Sequence, residues 1–455
     1  MNHPIEQLLK FSPQERRIVL LSASYFFLLL CAYYILRPVR ETMGIARSAD
    51  DLPLIFLGTM TVTLLLAPVI AALVNRYQRA QFIPFCYHAI SLLLLGFFIA
   101  LTLLPQKMIF AVGIAFYIFL SVVNMLLISL FWGFMSDGIS LGESKKLFPS
   151  IAIGGTIGAI SGSSITQILV ELSGQAPLLL ISAIILQIAI ILMRKTDSAF
   201  QDFSIAEQTL QSNTTTEKTV QKDTKSLETL FSKSNKWERQ ESDSLAARLT
   251  SGIRFAISSP YMMAIAGYIF CYGLTSTFLY FQQGQLVAME TGNSHERTQI
   301  FSNIDIWSNS LTLLFQLFLS RKLLMHFGIG PILIGLPLLT LSGFAALALA
   351  PTLTVLIIFQ ALRRSLNYGL FKPAREILFT ILPTDQKYKA KSFIDTFVYR
   401  GGDAIGALSQ KGLTSLALGI TSLALLVVPI AALWTFLAIF LGREASRAEQ
   451  NKVEK

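Results

Sequence analysis

Charge is scarce in this 455-residue chain: Asp, Glu, Lys and Arg make up 14% of it, against 53% hydrophobic residues. So few polar groups could not cover that much apolar surface in water, and runs of about 20 apolar residues recur along the whole length, which excludes a soluble domain. Cysteine and histidine are scarcer still. The three cysteines, Cys31, Cys86 and Cys271, sit inside apolar runs and read as small buried hydrophobes. Neither they nor the four histidines have metal-ligand spacing, so no zinc or redox site is expected, nor any cofactor. A phosphate-binding glycine loop is also missing. GGTIGA (154–159) and GGDAIGA (401–407) lack the Lys-Ser/Thr pair and lie inside apolar runs, so ATP hydrolysis is unsupported and their glycines read as helix-packing residues. No catalytic triad is visible, and the chain is not expected to be an enzyme.

What is present is a series of apolar spans, at about 18–36, 53–74, 84–104, 108–135, 148–171 and 177–193, then 261–281, 300–320, 329–350, 353–371, 393–411 and 420–441. Ser12-Pro13-Gln14-Glu15 has the pattern of a helix N-cap leading into an uncleaved first span. The expectation is an all-α membrane protein with twelve transmembrane helices in two halves, 1–193 and 259–441. A cytoplasmic linker (194–258) joins them and a cytoplasmic tail (442–455) follows. Within the linker, 201–243 reads as flexible; 245–262 regains helical periodicity as a surface helix, with Trp237 a candidate interfacial anchor. Of the 37 Lys and Arg, 28 fall on the side that carries the termini and 6 on the other. This bias sets both termini in the cytoplasm and accounts for the net charge of +10 without nucleic acid.

The two halves echo each other. ESKKLFPSIAIGGTIGAISG (143–162) and KYKAKSFIDTFVYRGGDAIGALS (387–409) each pair a basic lead with an apolar, glycine-rich helix. A parallel repeat of two six-span halves is the major-facilitator plan, with a solute site between the halves near the midplane.

YYILRPVRETMG (33–44), FWGFMSDGISLGESKKLFPSIAIGGTIGA (131–159), SPYMMAIAGYIFCYGLTSTFLYFQQ (259–283) and GLFKPAREILFTILPTDQKYKAKSFIDTFVYRGGDAIGA (369–407) resemble the nucleotide transporter family. That family includes the ATP/ADP exchangers of plastids and obligate intracellular bacteria, and the likeness is strongest to its uncharacterised bacterial branch. The resemblance implies a major-facilitator-like fold and either ATP-for-ADP exchange or proton-linked nucleotide uptake. It places the family's functional charges on Arg40 and Glu41, on Asp137, and on Arg375 and Glu376. Where the exchangers carry a lysine just before the last motif, this chain has Asn367, one cation fewer for a polyphosphate.

Charges inside spans normally face a partner or a water-filled cavity, because at bilayer depth each costs at least ~3 kcal/mol. Arg37, Arg40 and Glu41 close the first span, either as a snorkelling cluster or as a binding and gating group. Arg37 and Glu41 are spaced i,i+4, with the helix disturbed at Pro38 between them. Adjacent Arg363 and Arg364 cannot point the same way; one is expected to line the cavity and the other to meet a carboxylate such as Asp305. Arg375 and Glu376 read as a positive-inside anchor or an anion-binding fork. Arg400 and Asp403 form an i,i+3 pair, structural or cavity-lining, with Asp395 facing the preceding loop. Asp137 reads either as a turn residue or as a latch with Lys145 and Lys146, and His88 as a satisfied core residue.

The candidate substrate-binding residues are therefore Arg37, Arg40, Arg363, Asn367, Arg375 and Arg400. The candidate coupling or gating residues are Glu41, Asp137, Asp305, Glu376, Asp395 and Asp403. Arginines outnumber carboxylates within the spans, which points to a small anionic substrate, with ATP and ADP the candidates the resemblance supplies. The reading is a monomeric secondary transporter of the bacterial inner membrane; a carrier of another organic anion, or a non-transporting membrane sensor or scaffold, stays open.

Overall fold

Ser12 opens the first helix as its spacing predicts. Its hydroxyl accepts from the Glu15 amide at 3.2 Å, the Glu15 carboxylate accepts from the Ser12 amide at 2.8 Å, and Pro13 takes the first helical position. Both bonds satisfy donors that a helix start otherwise leaves unpaired. The helix that follows, α1 (Pro13–Gly44), begins the first half. The second half begins with the same device: Ser259 accepts from the Met262 amide at 3.2 Å and Pro260 starts α7 (Pro260–Glu290). The computed structural model describes residues 11–139, 141–215, 259–319, 328–379 and 393–453, with His326 and Lys391. Trp237, residues 216–243 of the expected flexible stretch and most of the surface helix at 245–262 lie outside the described residues.

Between α1 and α7 run α2 (Leu52–Arg76), α3 (Arg79–Leu103), α4 (Gln106–Gly138), α5 (Leu141–Ser173) and α6 (Ala176–Thr215). The second half continues with α8 (Ser294–Leu314), α9 (Ile329–Leu349), α10 (Leu353–Leu366), α11 (Tyr399–Ser415) and α12 (Ile420–Val453). Every expected span has its helix. Several helices overrun their apolar limits, two of them furthest: α6 continues past 193 to Thr215, and α12 past 441 to Val453. Hydropathy marks where an apolar run stops, whereas a helix continues through good helix formers such as Glu207, Gln208, Ala448 and Glu449.

Each half repeats the same packing. In the first, α1 lies against α5 and α6, α3 against α6, and α2 against α4. In the second, α7 lies against α11 and α12, α9 against α12, and α8 against α10. A shift of six helices turns one set into the other. Across the boundary, α5 meets α8 and α2 meets α11, and the same shift exchanges these two contacts. The fold is thus a parallel duplication around an approximate two-fold axis.

Glycine sets the closest of these contacts. A Cβ added at Gly154, Gly158 or Gly162 of α5 would stand 2.2–2.4 Å from the backbone oxygens of Ala23, Phe27 and Cys31 of α1. In the repeat, a Cβ at Gly402 of α11 would come within 2.7 Å of the Phe270 oxygen of α7. Only a residue without a side chain allows two helix backbones to approach so far. The echoed glycine motifs of the sequence are these two seams.

Among the described residues, nine helices are long and apolar enough to cross a membrane: α1 to α7, α9 and α12. The other three, α8, α10 and α11, are more polar and are joined to π-helical turns. One extends α8 (Phe315–Leu319), one follows α10 (Asn367–Phe371) and leads into a last helical turn (Lys372–Leu378), and one leads into α11 (Ile394–Val398). These helices carry Asp305, Arg363, Arg364, Arg400 and Asp403. An even number of alternating helices puts the starts of α1 and α7 and the end of α12 at one end of the bundle, called proximal below; the opposite end is distal.

The glycine seams make a direct prediction. Gly158→Ala forces α1 and α5 apart, and overpacking of this kind costs about 1–3 kcal/mol, so the unfolding midpoint of the detergent-purified protein should fall. Gly58→Ala meets nothing within 4 Å and should leave the midpoint unchanged. Equal midpoints for the two variants would refute the close seam.

Candidate functional site

Asp305 of α8 is buried, and the same oxygen, Oδ1, accepts from two guanidiniums. Arg37 reaches it from α1 in the other half, and Arg364 from α10 at 2.8 Å. One carboxylate thus serves two arginines, and the triad keeps one positive charge. The Asn309 amide donates to the Asp305 backbone oxygen at 2.8 Å, and the Arg37 guanidinium lies 5.4 Å from the Tyr34 ring centre. Arg364 meeting Asp305 matches the sequence expectation. Arg37 pairing with Glu41 does not: arginine is long enough to cross to α8, and Glu41 is taken by its neighbour Arg40 at 2.7 Å.

Arg40 and Glu41 form a second cluster one turn further toward the distal end. The Glu41 carboxylate also accepts from the Tyr280 hydroxyl of α7, which in turn bonds the Tyr117 hydroxyl of α4. Arg40 lies over the Tyr117 ring at 4.6 Å and donates to Ser121 at 3.1 Å, while its Nε has no hydrogen-bond partner among the described residues. The tyrosines escaped the sequence reading because a Tyr in an apolar helix carries no mark of its partner. FLYFQQ (278–283) nonetheless closes the family-like stretch 259–283, and Tyr280 is its only hydroxyl.

Arg363 points away from Arg364. Its guanidinium is buried among hydroxyls, donating to Thr340 at 3.1 Å and to Thr275 and Ser276 at 3.0 Å each, 5.4 Å from the Tyr272 ring centre. No carboxylate pairs with it among the described residues. Asn367, in the π-helical turn, donates to the Tyr272 hydroxyl at 2.8 Å. A polar TST run (275–277) inside an apolar helix was the sequence signal for this cradle. On α11, Asp403 is buried and accepts from Thr277 at 3.0 Å, with Arg400 3.6 Å away and partly exposed.

The remaining candidates stand at the proximal end, apart from this centre. Arg375 lies 3.9 Å from Glu376 and 3.8 Å from Asp395, and Lys391 bonds Glu376. Asp395 therefore meets Arg375 rather than only a loop. Of the two readings of Asp137, a turn residue or a latch with Lys145 and Lys146, the second gains no ion pair to Lys146. Asp137 pairs with Arg79 of α3 at 2.7 Å, and Lys146 with Glu15 at 2.7 Å, each the nearer opposite charge once the helices are assembled. His88 is exposed on α3 rather than satisfied in the core. An amphipathic face cannot be told from an all-apolar span by hydropathy alone.

Most of the bonds that join the two halves gather at the distal end, apart from Thr156 to Gln316 at 3.3 Å nearer the middle of α5. Beside Arg37–Asp305 and Tyr280–Glu41 they include Thr42–Thr298 at 2.8 Å, Gln175 to Thr298 at 2.9 Å, Gln299 to Glu171 at 3.1 Å and Lys411 to the Asp50 oxygen at 2.8 Å. An apolar cluster seals the same end, with Ile45, Leu52 and Tyr117 of the first half against Phe281, Val287 and Phe301 of the second. The proximal ion pairs named above each stay within one half. The structure is closed at its distal end.

These features define a class: a two-fold-duplicated helical membrane bundle of the major-facilitator type. Among solved structures, the nucleoside transporter NupG is similar over 94% of this chain and 98% of its own, at a TM-score of 0.59 and 12% identity. A POT family transporter in complex with a thioalcohol-conjugated peptide is similar over 94% and 96%, at 0.56 and 11%. Both likenesses bear on the fold alone. Residues 113–444 match the TLC ATP/ADP transporter family, and the chain belongs to it. ADP,ATP carrier protein 1 of Chlamydia trachomatis serovar D is 24% identical over 225 residues, which are 43% of each chain. The protein of the same name from Chlamydia pneumoniae is 24% identical over 221 residues, 42% of this chain and 43% of that one. This chain thus spans less than half the length of the curated relatives it matches.

The distal closure is directly testable. With their hydroxyls 2.8 Å apart, Thr42→Cys and Thr298→Cys together should form a disulfide under mild oxidation. The native thiols are buried, so loss of maleimide labelling reports the bond. Two thiols that stay freely reactive would show that the halves do not meet there.

Proposed function

We propose that this protein is a secondary active transporter that moves an anionic solute across the bacterial cytoplasmic membrane by alternating access. The solute is a nucleotide or a nucleotide-like phosphate compound. One observation carries the reading: a single buried carboxylate, Asp305, bridges arginines from opposite halves and leaves them short of negative charge. Around the centre five arginines (37, 40, 363, 364 and 400) face three carboxylates (Glu41, Asp305 and Asp403). A phosphate fits that deficit, since guanidinium groups bind phosphate oxygens in pairs. Membership of the TLC family supports the same solute class.

In this reading the distal closure is the substrate-free arrangement. An incoming anion competes with Asp305 for Arg37 and Arg364 and so loosens the bond between the halves. Arg40, Arg363, Asn367, Arg375 and Arg400 contribute to binding or to the approach path, while Glu41, Asp137, Glu376, Asp395 and Asp403 hold or release the arginines as the halves rock. We read the halves as 1–193 and 259–441, and the basic bias of 194–258 and 442–455 supports a cytoplasmic side for both. Asn367 favours a second reading within the same mechanism. As a neutral amide bound to Tyr272, it gives the site one cation fewer than an exchanger's lysine would, which suits an anion of lower charge than ATP.

Proteoliposomes preloaded with unlabelled nucleotide and offered labelled ATP or ADP provide the test. The expected result is saturable counter-exchange. Arg364→Ala should reduce it roughly ten- to a hundredfold, the loss of a charge-assisted hydrogen bond. Asp305→Asn should weaken the hold between the halves and let labelled solute leak without internal nucleotide. Folded protein that exchanges no nucleotide, yet takes up simple carboxylates, would overturn the nucleotide assignment.

A further inference from the structure

At the proximal end, away from the charged centre, α1 and α6 enclose a surface groove of about 660 Å³. Arg16, Arg17, Lys195 and Ser198 line it together with Leu20 and Leu21, which follow Arg16 and Arg17 by one turn toward the middle of α1. The groove lies where the apolar runs of both helices give way to basic residues, the level of lipid headgroups for a membrane-spanning bundle. Its charges are not balanced. Arg17 is answered by Asp202 at 3.0 Å, but among the described residues no ion pair involves Arg16 or Lys195. Leu20, one turn below Arg16, is 56% exposed.

A basic cluster above an exposed apolar wall has the layout of a phospholipid: an anionic head over an aliphatic tail. A soluble anion would use the cations and leave the leucines uncovered, and a neutral lipid would use the leucines and leave the cations unanswered. We propose that this groove binds an anionic phospholipid, its phosphodiester on Arg16 and Lys195 and an acyl chain along Leu20 and Leu21. Juxtamembrane basic residues attract anionic lipid individually, and here two of them converge over one apolar wall. Another basic-lined groove, about 350 Å³ between α9 and α12, carries Arg443 and Arg447. There Arg447 is already bound to Glu444 at 2.9 Å, which makes that site a control for a diffuse charge effect.

The test is native mass spectrometry of the full chain released from neutral detergent, with phosphatidylglycerol, phosphatidylcholine or inorganic phosphate supplied at equal concentration. The expected result is selective retention of phosphatidylglycerol, reduced roughly twentyfold in the Arg16→Gln, Lys195→Gln double variant, the scale set by two headgroup contacts. The Arg443→Gln, Arg447→Gln variant should retain the lipid. All four positions are on the surface, so the lipid-free melting temperature should stay the same and separate lost binding from lost folding. Several outcomes would overturn the proposal. They are equal retention of phosphatidylcholine, displacement of the lipid by inorganic phosphate, equal loss in both double variants, and no retained lipid at all. The last would leave the groove to another segment of the chain or to a protein.

Discussion

Two guanidiniums held on one carboxylate oxygen, Arg37 and Arg364 on Asp305, form the contact on which the arrangement of the halves depends. Two cations close together in a partly desolvated space repel by about 4 kcal/mol at 4 Å with an effective dielectric of 20. Asp305 reverses the sign of that interaction and makes the approach of α1 to α8 and α10 favourable. Removing one partner from a buried ionic cluster typically costs about 3–5 kcal/mol, because the others remain desolvated. The halves therefore meet where the carboxylate is. The distal bonds of Thr42, Gln175, Gln299 and Lys411 extend that contact outward rather than create it.

Such a cluster needs a frame that neither lets it collapse nor lets water separate it. The glycine seams supply the frame, with backbone against backbone between α1 and α5 and between α7 and α11. The π-helical turns provide the opposite quality. All three are joined to α8, α10 or α11, the helices that carry the central charges of the second half. Two of them touch: a Cβ at Gly369, in the turn after α10, would stand 2.7 Å from the Phe315 Cβ in the turn that extends α8. A π turn leaves backbone groups less regularly paired and is often found where a helix serves a function. Rigid seams beside irregular, charge-bearing helices divide the bundle into parts that hold and parts that can rearrange.

Much of this was legible in the sequence because it depends on local pattern. The Ser12 capping box, the twelve spans and the paired glycine motifs all follow from spacing along one helix. The opposite directions of Arg363 and Arg364 also follow, since neighbours on a helix diverge by about 100°. The rest was not, because it depends on which helix lies opposite. Arg37 and Glu41 have good spacing for a pair, yet each has a better partner, one of them 268 positions away in sequence. Asp137 finds Arg79 and Lys146 finds Glu15 for the same reason. Tyr117 and Tyr280 matter only because α4 and α7 bring their hydroxyls together. Spacing identifies which charges need partners, and only topology assigns the partners.

The least balanced part of the centre lies around Arg363 and Asn367. Arg363 is stabilised by three hydroxyls and the face of Tyr272, which solvate a cation without neutralising it. Asn367 donates to the hydroxyl of that same tyrosine. A lysine there would set a second cation beside a guanidinium that already lacks a counter-ion, an arrangement stable only while a highly charged anion is bound. With asparagine the cradle is closed by a neutral hydrogen bond and tolerates an empty site. In the proposed reading, asparagine at this position lowers both the charge asked of a solute and the penalty for an empty site.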